Sequence, residues 1–204
     1  MGYTHYWNRK PEFNKEDFNK VVADFNKMIP VFNRIGLTLT GGDGTGKPEI
    51  NDNTIWFNGN IKCGHTERDL GITWPSKDAG GMTLAYKTNG NHKEDSDIGG
   101  QWFAGLELKS RTCGGDCSHE PFGLSLVKEL GGGGNDKFLF DFCKTAYKPY
   151  DLAVICALII AKHHLKEQIR ISSDGTLEQW KDGIVLCEKV LGYGVGFAFH
   201  EEDG

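Results

Sequence analysis

The chain has no apolar run long enough to cross a bilayer. Its longest, Leu152 to Ala161, is about half of the ~20 residues that a membrane-spanning helix needs. The segment Met1 to Trp7 contains neither a basic nor an apolar stretch, so it does not indicate a secretory signal. We therefore predict a cytoplasmic protein with no membrane partner, in which the six cysteines are reduced.

An excess of positive charge is also missing. The 204 residues include 23 Lys and Arg against 28 Asp and Glu, which gives a formal net charge of −5. Proteins that hold extended nucleic acid need a dominant basic surface because they must neutralise phosphates. The composition therefore argues against an extended nucleic-acid partner but leaves room for a local basic pocket. The length suits one domain with a substantial core, and no internal repeat is visible.

Apolar residues recur at helical spacing in three parts of the chain. The first helix follows Asn14, which can cap it, and Pro30 is expected to kink or end it. The second begins at Pro149 and reaches about Leu165. It is apolar nearly all round, which predicts a buried, central helix. The third helix starts with the capping-box pattern of residues 176–179.

Short strands are predicted between turn-forming residues. The candidates cover residues 3–7, 37–40, 54–57, 82–86, 102–108, 122–127, 138–142 and 169–171. Because helices and strands are grouped and do not alternate, we predict an α+β fold, with a short mixed or antiparallel sheet packed on about three helices. In this interpretation residues 1–204 form a single domain, and residues 62–134 are an irregular, hairpin-rich insertion within it.

The segment Gly41 to Lys47 satisfies the G-x-x-x-x-G-K pattern of a phosphate-binding loop. A working loop of that type needs Ser or Thr at the next position, to hold magnesium, and a helix after it. Here Pro48 follows, and the next residues lead towards a strand. We therefore interpret the segment as a turn.

Five potential metal ligands lie in two short glycine-bearing segments: Cys63, His65, Cys113, Cys117 and His119. The Cys-x₃-Cys spacing is compatible with zinc, and any four of the five side chains could complete a tetrahedron. The long separation and the lack of a second close cysteine pair leave two alternatives open, a structural zinc site and reduced loop cysteines. We favour reduced cysteines and expect no cofactor.

Two histidines, His163 and His164, close the predicted central helix together with Lys162 and Lys166. Cations at this end of a helix complement the negative end of its dipole. We therefore expect these histidines to cap the helix and face solvent, and not to bind a ligand.

The segment Phe140 to Asp151 is the best candidate for a ligand-binding site. A predicted strand ends there in a polar turn, and the buried helix begins directly after this turn. An anion at a helix N-terminus gains from the dipole and from nearby lysines. The neighbouring turn, Ser172 to Gly175, could form a second wall. The candidate ligand-binding residues are Lys144, Thr145, Tyr147, Lys148, Tyr150, Asp151, Ser173, Asp174, His5 and Trp7. The alternative is that the lysines are solvated and Asp151 only stabilises the first helical turn.

Several motifs together resemble an uncharacterised family found in bacteriophages and prophage-bearing bacteria. These motifs lie at residues 2–7, 55–59, 118–122, 142–151, 161–164 and 172–175. The resemblance covers both ends of the chain well and residues 62–112 poorly. It supplies no activity. It implies a phage-related context in the cytoplasm of a bacterial host, where a small non-catalytic protein is often an inhibitor of host defence.

We predict a non-catalytic protein that captures a small anionic, nucleotide-like ligand in order to counter host defence. One alternative is an enzyme acting on a phosphorylated or nucleoside substrate, with His5, His119 or Asp151 as acid–base groups. Another is a protein–protein inhibitor that covers a host defence complex with residues 62–134. A homo-oligomer is compatible with each, because small binding proteins commonly form two-fold assemblies.

Overall fold

A computed structural model describes residues 2–63, 111, 113, 115–129 and 137–200. The strands predicted at 82–86 and 102–108, and most of the predicted insertion over 62–134, lie outside these described residues. Within them, three α-helices and seven strands in two small antiparallel sheets confirm the predicted α+β fold. No helix in the described ranges is long and apolar enough to span a membrane.

The strands are short and the helices are longer. The strands are β1 (Thr4–Arg9), β2 (Leu39–Thr40), β3 (Glu49–Ile50), β4 (Thr54–Gly59), β5 (Phe122–Ser125), β6 (Leu139–Lys144) and β7 (Ile169–Ser173). The helices are α1 (Lys15–Arg34), α2 (Asp151–Leu165) and α3 (Leu177–Leu191).

The first sheet has the order β6-β1-β7, with both neighbours antiparallel to β1. His5 of β1 lies opposite Cys143 of β6 and Ser173 of β7. Residues directly opposite one another share a face of the sheet. His5 and Cys143 are buried, so this row faces the core, and Ser173 lies at its half-buried end.

The second sheet is built around β4, which pairs with β2, β3 and β5. The predicted turn at Gly41 to Lys47 is confirmed, because it connects β2 to β3 with positive φ angles of 81° at Gly44 and 64° at Gly46. Aromatic rings join the two sheets: the ring centroids of Trp7 and Phe122 are 5.3 Å apart. Phe122 in turn contacts Phe57 of β4 at 5.1 Å.

Helix α2 occupies the centre, as the sequence predicts. Its residues 151–161 are all buried, and α1 and α3 both pack against it. The helix begins at Asp151, two residues after the predicted start at Pro149, because the preceding residues form a hydrogen-bonded turn. Its end at Leu165 agrees with the prediction.

The predicted capping signals are confirmed at both outer helices. The Asn14 side chain accepts a hydrogen bond from the backbone N–H of Asp17, and Thr176 with Gln179 forms a complete capping box. Pro30 does not end α1, which continues to Arg34. The buried residues Met28, Val31 and Phe32 on both sides of Pro30 explain this, because tertiary packing outweighs the local preference.

Candidate functional site

The turn between β6 and α2 has an unusual backbone. Ala146 and Tyr147 have φ angles of 49° and 58°, a region in which each non-glycine residue costs about 1–3 kcal/mol. Tyr3 holds the turn in place, because its carbonyl oxygen accepts from the backbone N–H groups of Thr145 and Ala146 at 3.0 and 3.1 Å. Non-glycine backbone strain of this kind is concentrated at functional sites.

Asp151 links this turn to the core of the protein. Its Oδ1 accepts from His5 Nε2 at 2.7 Å and from Thr145 Oγ1 at 2.6 Å. Its Oδ2 accepts from Arg111 Nε at 3.2 Å. Arg111 also donates to both carboxylate oxygens of Asp182 on α3. All five residues are buried, so β1, α2 and α3 meet in one hydrogen-bonded network of alternating charge.

The environment keeps Asp151 and Arg111 ionised. Burial on its own raises the pKa of Asp151, but the charges of His5 and Arg111 and the hydrogen bonds to Asp151 hold it below its ordinary value. Burial likewise favours a lower pKa for Arg111, and Asp182 and Asp151 reverse that effect and raise it. A buried charge is stable only when it is paired and hydrogen-bonded, and both conditions hold here.

Ser173 extends the network towards the surface. Its Oγ lies 2.8 Å from His5 Nδ1. Because the ionised Asp151 accepts from Nε2, that nitrogen carries a proton, and Nδ1 accepts from the Ser173 hydroxyl when the imidazole is neutral and donates to it when the imidazole is charged. Ser173, His5 and Asp151 therefore form a continuous chain from a half-buried hydroxyl to a buried carboxylate. The residue types are those of a relay that activates a serine nucleophile, with the two ring nitrogens exchanged: here Nδ1 faces the serine and Nε2 faces the carboxylate.

Two aromatic side chains enclose the imidazole of His5. The ring centroids of Tyr3 and Trp180 lie 5.1 and 5.0 Å from it, both in edge-to-face geometry. The Tyr3 hydroxyl and Trp180 Nε1 are buried and have no hydrogen-bond partner in the described part of the chain. An unpaired buried polar group costs about 1–3 kcal/mol, and native proteins keep few of them. Both groups lie beside the chain formed by Ser173, His5 and Asp151, and this position makes the region a candidate for a functional site.

Several of the predicted ligand-binding residues serve the fold. The Lys148 ammonium donates to the carbonyl oxygens of Cys113 and Asp116 at 3.0 and 2.7 Å. Tyr150 is buried and its hydroxyl donates to the carbonyl of Glu120. Trp7 is only 1 % exposed. Lys148 and Tyr150 therefore hydrogen-bond within the domain and Trp7 packs in its core, while Thr145 and Asp151 lie beneath the surface in the network described above.

The remaining predicted residues lie where a ligand could reach them. Lys144, Tyr147 and Ser173 are half-buried and Asp174 is exposed. The Lys144 ammonium has no hydrogen-bond partner within the ranges that the structure describes. Asp174 is already engaged, since its carboxylate accepts from the Thr4 N–H at 3.0 Å and from the Tyr6 hydroxyl at 3.1 Å. We name the ends of β6 and β7, with the turn before α2, the junction site.

Three of the five predicted metal ligands come together. The Cys113 sulfur lies 3.2 Å from that of Cys63 and 3.3 Å from that of Cys117, and all three thiols are free of disulfides. This cluster could hold a metal ion. His119 is not part of it, since its Nδ1 lies 2.8 Å from the carbonyl oxygen of Lys144. His65 lies outside the described residues.

A cavity of about 580 Å³ lies elsewhere, at the C-terminal ends of α2 and α3, with His163 and Tyr193 in its lining. His163 stacks on Tyr193 at 3.6 Å, while His164 Nε2 and the Tyr193 hydroxyl each lie 2.7 Å from Asp24 Oδ2. The two histidines therefore fasten the C-terminal segment to α1 and α2. We place the candidate site at the junction, because these polar groups already have partners inside the protein.

The sequence did not reveal Arg111 and Asp182 as members of the network. Asp182 had a signal: it is an acidic residue among the buried positions Trp180, Gly183 and Leu186 of α3, where an unpaired charge is rarely found. Arg111 had none, since it lies in no periodic pattern. The contact between His5 and Ser173 could not be predicted without knowing the strand register, because the two residues are 168 positions apart in the sequence.

Comparison with known proteins finds no matching family model, no matching curated protein and no matching solved structure. The resemblance to a bacteriophage family therefore stays a prediction from the motifs.

Proposed function

We propose that the chain is a phage-related binding protein that captures a small anionic, nucleotide-like ligand at the junction site. The observation behind this proposal is the turn at Ala146 and Tyr147, which is held at positive φ directly above the buried network of Asp151. A rigid, pre-organised surface loses less entropy when a ligand binds. In a host cell, sequestering a nucleotide-like immune signal would counter host defence.

The chemistry of the exposed part of the junction site suits such a ligand. Lys144 offers an ammonium to a phosphate, as a compact point charge. Tyr147 offers an aromatic ring for a base, and its ring is held edge-to-face by Tyr3 at 4.7 Å. Ser173 offers a hydroxyl as a hydrogen-bond donor or acceptor. Stacking on an aromatic ring is worth about 1–3 kcal/mol per base.

A thermal-shift panel of linear and cyclic nucleotides tests this proposal. A ligand at 100 times its dissociation constant stabilises the folded state by about 2.7 kcal/mol, which is readily measured. We expect Lys144→Ala and Tyr147→Ala to remove the shift. Lys47→Ala is the matched control, because Lys47 is exposed in the loop between β2 and β3. No stabilisation by any member at high excess, or a shift that survives Lys144→Ala, would overturn the proposal.

The hydrogen-bonded chain of Ser173, His5 and Asp151 favours a second candidate function, an enzyme acting on a phosphorylated substrate. Ser173 Oγ would attack phosphorus and pass its proton to His5 Nδ1, while Asp151 stabilises the imidazolium. The bond to the leaving group would break, and the leaving group would take the proton from His5. Water, with His5 as the base, would then hydrolyse the phosphoserine. The distance of 2.8 Å between Ser173 Oγ and His5 Nδ1 is within the range that proton transfer requires.

Turnover separates the two candidates. A ligand found in the thermal-shift panel is incubated with a small amount of protein and followed by chromatography. For sequestration we expect the ligand to be recovered unchanged. For the enzyme we expect product, which Ser173→Ala abolishes, together with labelling of Ser173 by a fluorophosphonate probe. Ser172→Ala is the control, since Ser172 is the preceding residue and lies opposite Tyr6 on the other face of the sheet.

A further inference from the structure

The three thiols of Cys63, Cys113 and Cys117 take no part in the junction site. Their neighbouring sulfurs are 3.2 and 3.3 Å apart, and all three lie within 4.8 Å of one another. A disulfide needs about 2.05 Å between sulfurs. A tetrahedral zinc site with Zn–S bonds of ~2.3 Å separates its sulfurs by about 3.8 Å. The observed distances are closer to the zinc arrangement.

The backbone around the thiols is fixed from several sides. The Cys117 N–H donates to the carbonyl of Asn60 at 3.0 Å, which joins the loop to the segment that carries Cys63. Asp116 Oδ1 accepts from the N–H and the hydroxyl of Ser118 at 2.8 and 2.6 Å. Lys148 donates to the carbonyls of Cys113 and Asp116. The loop is thus shaped by hydrogen bonds that do not involve the sulfurs.

The charge balance also suits a metal ion. Three thiolates around Zn²⁺ leave one net negative charge, and the Lys148 ammonium on the loop carbonyls offsets it. Cys113 and Cys117 are buried, and buried, hydrogen-bonded loops with cysteine ligands are typical of structural zinc. Soft thiolate ligands favour zinc or copper(I) over magnesium or calcium.

We propose that Cys63, Cys113 and Cys117 bind one Zn²⁺ ion as thiolates, with a fourth ligand from outside this trio. The ion connects the end of β4, which leads to Cys63, with the loop that leads from Cys113 into β5. Arg111, two positions before Cys113, is held by Asp151 and Asp182. The metal would therefore hold together the two ends of the segment that connects β4 to β5, one end at Cys63 and the other at Cys113, close to the buried network.

Metal analysis of protein purified in reducing buffer after expression with zinc tests the site. We expect about one zinc per chain, retained through desalting. Cys63→Ser, Cys113→Ser and Cys117→Ser should each lose it. Cys143→Ser is the matched control, because Cys143 is a buried free cysteine outside the cluster, and it should keep the full complement of zinc.

Cobalt substitution provides a test on the unaltered chain, in case a serine variant does not fold. Co²⁺ bound by thiolates gives a charge-transfer band in the near ultraviolet and strong visible bands of a tetrahedral site, and zinc should remove both. Chelation should lower the melting temperature, and added zinc should restore it.

Four outcomes would each overturn the proposal: substoichiometric zinc, a different metal at one equivalent, a disulfide within the trio, or an equal loss of zinc in Cys143→Ser. Nucleotide binding is measured separately on zinc-loaded protein, so either proposal can fail alone.

Discussion

Arg111 holds Asp182 with both terminal nitrogens of its guanidinium, Nη1 at 2.6 Å from Oδ2 and Nη2 at 3.2 Å from Oδ1. The remaining nitrogen, Nε, lies 3.2 Å from Asp151. One guanidinium thus joins the first residue of α2 to the middle of α3. The fork geometry of arginine matches a carboxylate in a way that lysine cannot.

Replacing Arg111 by Met should destabilise the protein strongly. Asp151 and Asp182 would be left buried with one cation fewer, and removing one partner of a buried ion pair costs about 3–5 kcal/mol. Urea unfolding measures the loss. Arg170→Met is the control: Arg170 is exposed and lies over the Phe138 ring at 4.4 Å, so its removal should cost no more than about 1 kcal/mol. Equal unfolding free energies for the two variants would contradict the importance of the network.

Asp24 should make stability depend on pH in the acidic range. Burial raises its pKa, but hydrogen bonds from Lys27, Tyr193 and His164 lower it to about 2. Because the folded pKa lies below the unfolded one, this contribution is complete above the unfolded value of about 3.9 and is lost as pH falls towards 2.

Melting temperatures of the native chain and of Asp24→Asn, measured from pH 7 to pH 2, check this. The native chain should be the more stable at pH 7, and the difference should shrink between about pH 4 and pH 2. A constant difference across this range would show that Asp24 is not stabilised by these hydrogen bonds.

Gly183→Ala tests the close approach of α3 to α2. A Cβ at this position would lie 2.4 Å from Cγ2 of Ile155. Alanine favours a helix over glycine by about 1 kcal/mol, but overpacking costs about 1–3 kcal/mol, so we expect a net loss of about 1 kcal/mol in unfolding free energy. Gly196→Ala meets nothing within 4 Å and should be nearly neutral. Ile155→Leu, which moves the branch away, should recover part of the loss in the double variant.

Pro30→Ala should stabilise the protein. Pro30 is exposed and lies inside α1, where it lacks the N–H that would bond the carbonyl of Asn26. An interior proline costs about 3 kcal/mol, and losing its restraint on the unfolded chain costs about 0.4–1 kcal/mol, so a gain of about 2 kcal/mol is expected. Thermal or urea unfolding measures it. Pro48→Ala, at a loop position, should give no gain, and an equal gain there would contradict this explanation.

Local signals predicted the helices well. The Asn14 cap, the capping box at Thr176 and the apolar circumference of α2 each depend on residues a few positions apart. The division of the strands into two sheets was not predictable, because β1 pairs with strands far along the chain and strand pairing is not encoded locally. The alternative that Pro30 ends α1 was wrong because tertiary packing on both sides of Pro30 decided the length of the helix.

The candidate site was predictable in its members but not in its connections. His5, Asp151 and Ser173 were each named from sequence, yet only the sheet register brings them into one relay. Lys148 had the residue type of an anion ligand, but its ammonium is used by loop carbonyls. The protein–protein inhibitor depends on residues 62–134, which lie largely outside the described part of the chain, and it stays a prediction.

The position of β1 in its sheet has a consequence for biosynthesis. This N-terminal strand lies between β6 and β7, and His5 must find Ser173 across 168 positions. A ribosome releases the start of a chain first and adds about 5–20 residues per second, so β1 emerges seconds before its neighbours exist. Pairing between such distant segments is slow to form. The six residues of β1 must therefore stay unaggregated as the chain grows, and they complete their pairing only after β6 and β7 have been synthesised.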